Sequence, residues 1–188
     1  MAKVDSQRAY LNKSLIEAAA AISLTRVRIA LDAGACPNFT DQAQCGWTAL
    51  HFACYFSLAE RWAESICDIL LSKGANPDLL SSDGASPLLT AASVGSLGAV
   101  KLLVRKGARI DLADKNGMTA LMGAADRGDS EIVSELLGAG ADAALRDGQG
   151  RSAIDFAMGK KLFHIVALIE AQSLAQCIPA SAPRMACR

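Results

Sequence analysis

Three glycines set a ruler along this chain. Gly74, Gly107 and Gly140 are 33 residues apart, and each is followed by Ala. A fixed period of that size is the mark of a stacked array of small supersecondary units, so the chain is constrained to an elongated repeat fold before any single residue is weighed. The unit stands clearest from Asp114 to Asp142. Thr119 precedes Ala120, Leu121, Ala124 and Ala125, where a hydroxyl can cap a short helix with a small apolar inner face. Gly128 falls where that helix must stop. Ile132, Val133, Leu136 and Leu137 then form one face of a second helix before Gly140.

Composition agrees with such a core. Aromatic residues are only 5% of the chain, so Leu, Ile, Val and Ala must fill the interior, which suits closely packed short helices better than a sheet sandwich. With 52% apolar and 20% charged residues the sequence folds rather than staying disordered. Lys and Arg together number 19, as do Asp and Glu, so no global field draws the chain to nucleic acid or an anionic membrane. No apolar run is long enough to span a bilayer, and Asp5, Arg8 and Glu17 interrupt any signal-like segment. A cytoplasmic location is the expectation.

On the 33-residue ruler the helix openings align without gaps: Thr48-Ala-Leu-His-Phe-Ala, Ser86-Pro-Leu-Leu-Thr-Ala, Thr119-Ala-Leu-Met-Gly-Ala and Ser152-Ala-Ile-Asp-Phe-Ala. With the paired branched residues and the closing Gly-Ala, these resemble the ankyrin repeat, whose helix opening reads T-P-L-H-x-A. The resemblance implies an all-α solenoid of helix-turn-helix pairs with extended turns between repeats. Five repeats are expected, at about residues 10–42, 43–80, 81–113, 114–146 and 147–172, the first and last serving as caps, with residues 173–188 as a flexible tail. Lys161 stands where the inner repeats have the interhelical Gly, and Glu170 and Gln172-Ser173 replace apolar and Gly-Ala positions, as an outward-facing end requires. The second unit is longer: 40 residues separate Gly34 from Gly74, with two extra before Gly46 and five extra around Ser57 to Glu64.

No Ser-His-Asp order, GxxxxGK loop or HExxH motif is present. No enzyme activity and no cofactor or metal are expected. The resemblance gives His51 a structural role, bonding neighbouring turns, and marks Asn38 as a position that animal members of the family often hydroxylate. Cys54 and Cys67 fall at core positions, while Cys36 and Cys45 flank the first turn. A thiol-based redox or metal-binding protein using Cys36, Cys45 and Cys54 is the alternative of another class; it lacks a fourth ligand and metal-site spacing.

The family's concave face of turn tips and first helices implies a surface for a partner protein. Carried onto this chain, that surface takes Gln44, Trp47, Tyr55 and Phe56 from the second repeat. Leu80, Asp83 and Val94 follow from the third, then Lys115, Met118, Asp126 and Arg127 from the fourth and Arg151 from the fifth. Trp47, Tyr55 and Phe56 sit where the repeat needs no apolar residue, so either the insertion with its Trp62 covers them or they anchor a partner. The basic residues are set toward the far end. The expected state is a monomer that binds another protein, with neither nucleic acid nor membrane as partner.

Overall fold

The computed structural model describes residues 2–56 and 62–177. Ten α-helices are present among them, in five antiparallel pairs: α1 (Ala2–Ala20) with α2 (Leu24–Asp32), α3 (Ala49–Phe56) with α4 (Trp62–Ser72), α5 (Pro87–Val94) with α6 (Leu97–Arg105), α7 (Ala120–Arg127) with α8 (Ser130–Gly138), and α9 (Ala153–Gly159) with α10 (Phe163–Cys177). The first helices α1, α3, α5, α7 and α9 pack on one another in chain order, and the second helices α2, α4, α6, α8 and α10 do the same in a parallel layer. The all-α solenoid is therefore the observed architecture. No strand occurs among the described residues, where the one isolated bridge pairs Asp41 with Trp47.

Most of these helices run seven to nine residues, below the roughly 12–15 at which an isolated helix is even marginal in water. Stacking and caps make them stable. Ser86, Thr119 and Ser152 each accept a hydrogen bond from the amide three residues on, and Pro87 opens α5 at the position where its missing N–H costs nothing. Gly95 and Gly128 end α5 and α7 in the left-handed conformation. At the matching place after α9 Lys161 itself takes φ +60°, so the cap repeat keeps the turn without the glycine.

The interior is a continuous strip of small and branched residues. Leu15, Leu50, Leu88 and Leu121 are at most 2% exposed along the first layer, and Val27, Cys67, Val100 and Val133 are fully buried along the second. Where the core thins, backbone bonds join the repeats at two levels. At the turn tips Ser82 N donates to Cys45 O (2.8 Å), Lys115 N to Asp83 O (3.0 Å) and Gly148 N to Asn116 O (2.7 Å). On the loops after the second helices, Asn38, Asp78 and Asp111 each accept from a backbone N–H in the next repeat, at 2.7, 2.8 and 3.1 Å, and within the first repeat Asn12 of α1 accepts from Cys36 N at 2.7 Å. Asn38 also donates to Gly74 O at 2.9 Å, so its amide is a cross-tie between repeats.

α1 runs 19 residues, Ala2–Ala20, so helix lies on both sides of residue 10. α10 runs on past residue 173 to Cys177, with no Gly or Pro to stop it before Pro179. Residues 178–188 lie outside the described residues. Ser57 to Arg61, most of the predicted insertion, lie outside them too, and α4 takes up the chain at Trp62. The two extra residues before Gly46 form a short 3-10 helix, Gln42–Gln44, capped by Asp41 and followed by Cys45 at φ +56°.

A candidate groove across three repeats

The groove is built where α3 and α5 present their exposed sides next to the turns that lead into α3, α5 and α7. Trp47 leaves the second turn just before α3 and is half-buried, with Phe52 5.0 Å and Tyr55 5.4 Å away between ring centroids, both edge-on. Its ring lies 6.0 Å from the imidazole of His51, tilted by 29°. Tyr55 remains 46% exposed, and Phe56 packs edge-on against it at 5.0 Å. Across from this aromatic wall stand Leu89, Thr90, Ser93 and Val94 of α5 and Met118 of the following turn. Together with Trp47, Tyr55, Ala85 and Asp114 they enclose a largely apolar groove of about 260 Å³.

His51 fixes the wall from behind. It is fully buried, and its Nδ1 accepts the Thr48 amide at 3.2 Å while its Nε2 lies 3.0 Å from Ala85 O. An amide can only donate and a carbonyl only accept, so the ring is the neutral tautomer with its proton on Nε2. Burial lowers its pKa below the ordinary value, against the opposing pull of the Ala85 carbonyl. The imidazole thus ties the second turn to the third.

The predicted surface residues divide into three groups. Trp47, Tyr55, Val94 and Met118 meet in the one groove. Leu80 (42% exposed) and Lys115 line a separate, more polar depression at the turn tips with Thr40, Gln42 and Ser82, and Asp83 is exposed beside it. Gln44 lies in the 3-10 helix, its side chain outside the described residues.

The basic end is organised differently from the plain cationic patch that the sequence implies. Arg151 is held by Asp147 through two bonds, Nε at 2.9 Å and Nη2 at 2.7 Å, and its guanidinium lies 4.3 Å over the ring of Phe156. Asp126 is paired with Lys160 at 2.9 Å, and Arg146 stands 3.6 Å from Asp155. These pairings neutralise Arg151, Lys160 and Arg146 within the fold. Burial alone would raise the Asp147 carboxyl, but the Arg151 guanidinium and the amides of Arg151 and Gln149 hold it below its ordinary value. Asp155 is lowered chiefly by the Ser152 amide and hydroxyl of its capping box, each 2.7 Å away.

Leu89, Thr90 and Asp114 belong to the groove but were not among the residues singled out from sequence. Leu89 occupies the position of His51 and Met122 in the repeat, which reads as core, and it is in fact only 5% exposed. It forms the groove floor. Cys54 and Cys67 are fully buried, with their sulfurs 4.0 Å apart between α3 and α4, while Cys45 is exposed. Among the described residues no group of three or more His, Cys, Asp or Glu is placed to hold a metal ion. No helix among them is long and apolar enough to cross a membrane.

Stacked helix pairs of this kind, bearing an exposed groove on the first-helix side, define the class of helical-repeat proteins. The family profile for ankyrin repeats (3 copies) matches residues 15–114 and 58–147, and the chain belongs to the ankyrin-repeat family. The chain is also similar to the human 2-5A-dependent ribonuclease, 37% identical over 86 residues. That stretch is 46% of this chain and 11% of the relative. The likeness therefore covers about a tenth of that protein's length.

Proposed function

We propose that this protein is a non-enzymatic interaction module that grips a partner protein through its concave face, with the groove lined by Trp47, Tyr55, Leu89 and Met118 as the anchor site. Ankyrin repeats are generally protein-interaction modules, and the groove supplies what such a contact needs: a preformed apolar cleft on rigid helices, walled by aromatic side chains. The observation that carries the reading is the meeting of Trp47, Tyr55, Val94 and Met118 from three successive repeats in one cleft. The ribonuclease activity in the relative's name belongs to a protein of which this chain matches 11%, and it is not carried over.

The test is quantitative affinity capture from the native cell with the wild-type chain and a Trp47→Ala/Tyr55→Ala/Met118→Ala variant whose melting temperature has been checked. Truncated anchors commonly cost 2 kcal/mol or more, so partners should be lost by roughly thirtyfold or more in affinity. Equal recovery by both proteins would move the interface off this groove.

A further inference from the structure

Several charged residues of the fourth and fifth repeats are already paired inside the protein. Arg151 is held by Asp147, Lys160 by Asp126 and Arg146 by Asp155. Asp114 Oδ1 accepts the amides of Asn116 and Met118, each at 2.8 Å, and Asp129 caps α8 through the Ile132 amide at 3.2 Å.

Arg127 stands apart. It is the last residue of α7, it is exposed, and it has no ion pair among the described residues. Of the acids around it, Asp126 pairs with Lys160 and Asp129 caps α8, while Glu131 lines the same depression as Arg127 but forms no ion pair with it among the described residues. Its guanidinium lies across Gly95, where any Cβ would collide with it, and Gly95 directly follows Val94 in the groove wall. The absence of a side chain at Gly95 thus sets a cation beside one end of the apolar cleft. The turn-tip end is different: exposed Asp83 and Lys115 sit on adjacent tips joined by the bond from Lys115 N to Asp83 O (3.0 Å), so their charges offset one another.

We infer that the partner contributes an internal acidic segment: a large aliphatic or aromatic side chain fills the cleft, and an Asp or Glu a few residues along meets Arg127. This rests on the concave-face reading above and specifies its ligand. Arginine presents a planar donor fork that matches a carboxylate, and an unpaired one beside an apolar cleft favours a ligand carrying both features. An internal side chain fits better than a chain terminus. Terminal carboxylates are captured by backbone amides, and Asp129 already takes the Ile132 amide at the neighbouring start of α8, so that helix end offers one donor fewer to a terminus. The last turn of α7 also suits a cation through the helix dipole, a purely structural role that binding measurements separate from recognition.

The experiment is selection from a library of random segments of about twelve residues, displayed between two carrier domains so that no terminus is free, against the full chain. Counter-selection uses Trp47→Ala/Tyr55→Ala/Met118→Ala, and a parallel library displays the same segments with a free C-terminus. The expected result is enrichment of segments that pair a bulky apolar residue with an acid at constant spacing. The best such peptide should bind Arg127→Glu at least about tenfold more weakly, and Arg127→Gln should weaken it too, while exchange of the peptide's acid for Lys restores binding to Arg127→Glu. Enriched segments without a shared acidic position, or an affinity unmoved by either Arg127 variant, overturn this inference and leave the concave-face reading standing. Enrichment only with free C-termini overturns the internal-segment assignment. Segments that bind the triple variant as well as the wild type, or no enrichment over it, overturn both readings.

Discussion

Alanine at Gly117 and alanine at Gly150 separate the cost of a turn from the cost of a broken repeat interface. Both glycines end an extended turn, at φ +80° and +78°, and both amides donate back to an aspartate carbonyl, Gly117 to Asp114 at 3.0 Å and Gly150 to Asp147 at 2.9 Å. A Cβ at Gly150 would meet nothing within 4 Å, because no repeat among the described residues stacks beyond it. A Cβ at Gly117 would lie 2.8 Å from Gly148 N, 2.9 Å from Asp147 Cα and 3.0 Å from Asp147 C, backbone atoms of the next tip that cannot swing away. The left-handed conformation costs Ala about 1–2 kcal/mol at either site. Gly117→Ala adds overpacking of about 1–3 kcal/mol and strains the 2.7 Å bond from Gly148 N to Asn116 O. The expected totals are about 1–2 kcal/mol for Gly150→Ala and about 2–5 kcal/mol for Gly117→Ala. Equilibrium urea unfolding, with common slopes, should show the gap of roughly 2 kcal/mol as a midpoint difference near 1 M. Equal losses at the two sites would refute the claim that the tips are packed edge to edge.

Three further outcomes follow from the same geometry. Leu103→Ala, at a fully buried position in the central repeat, should cost about 2–5 kcal/mol in denaturant melts, more than Leu31→Ala in the first repeat, and equal costs would argue against stacking as the source of stability. Burial lowers the pKa of His51 from 6.5, so its folded form resists protonation while the unfolded chain accepts it. Stability from this group is complete above about pH 6.5 and is lost as pH falls from there toward the lower folded value; melts at graded pH should show that loss in the wild type and a flatter profile in His51→Gln. Cys54 is pushed well above the ordinary thiol pKa by its hydrogen bond to Cys67 and by burial, so under native conditions alkylation followed by mass spectrometry should label exposed Cys45 first and the pair only as the protein opens. Fast labelling of Cys54 would favour the thiol-based reading.

The repeat order, the caps and the core stripes were legible because each depends on a residue type at fixed spacing: hydroxyls at 86, 119 and 152, glycines at 95 and 128, branched residues along each second helix. The ends of α1 and α10 were less so, since among the described residues each packs against one neighbouring repeat and no periodic partner marks where it stops. In the groove, the exposed-position aromatics were visible in sequence, but Leu89 was hidden by its core register. The charge pattern was the least legible. Arg127, Arg151 and Lys160 look alike in sequence, and only three-dimensional pairing shows that Asp147 and Asp126 occupy two of them and leave the third beside the cleft.

The most direct test of the account compares two exposed apolar side chains on the two layers, Tyr55 of α3 (46% exposed) and Ile29 of α2 (64% exposed). A photo-crosslinking phenylalanine analogue placed at each position in turn, in otherwise wild-type protein, reports which layer a partner touches in the native cell. The account predicts covalent capture of a partner from position 55 and none from position 29. Capture from position 29 with none from position 55 would contradict it.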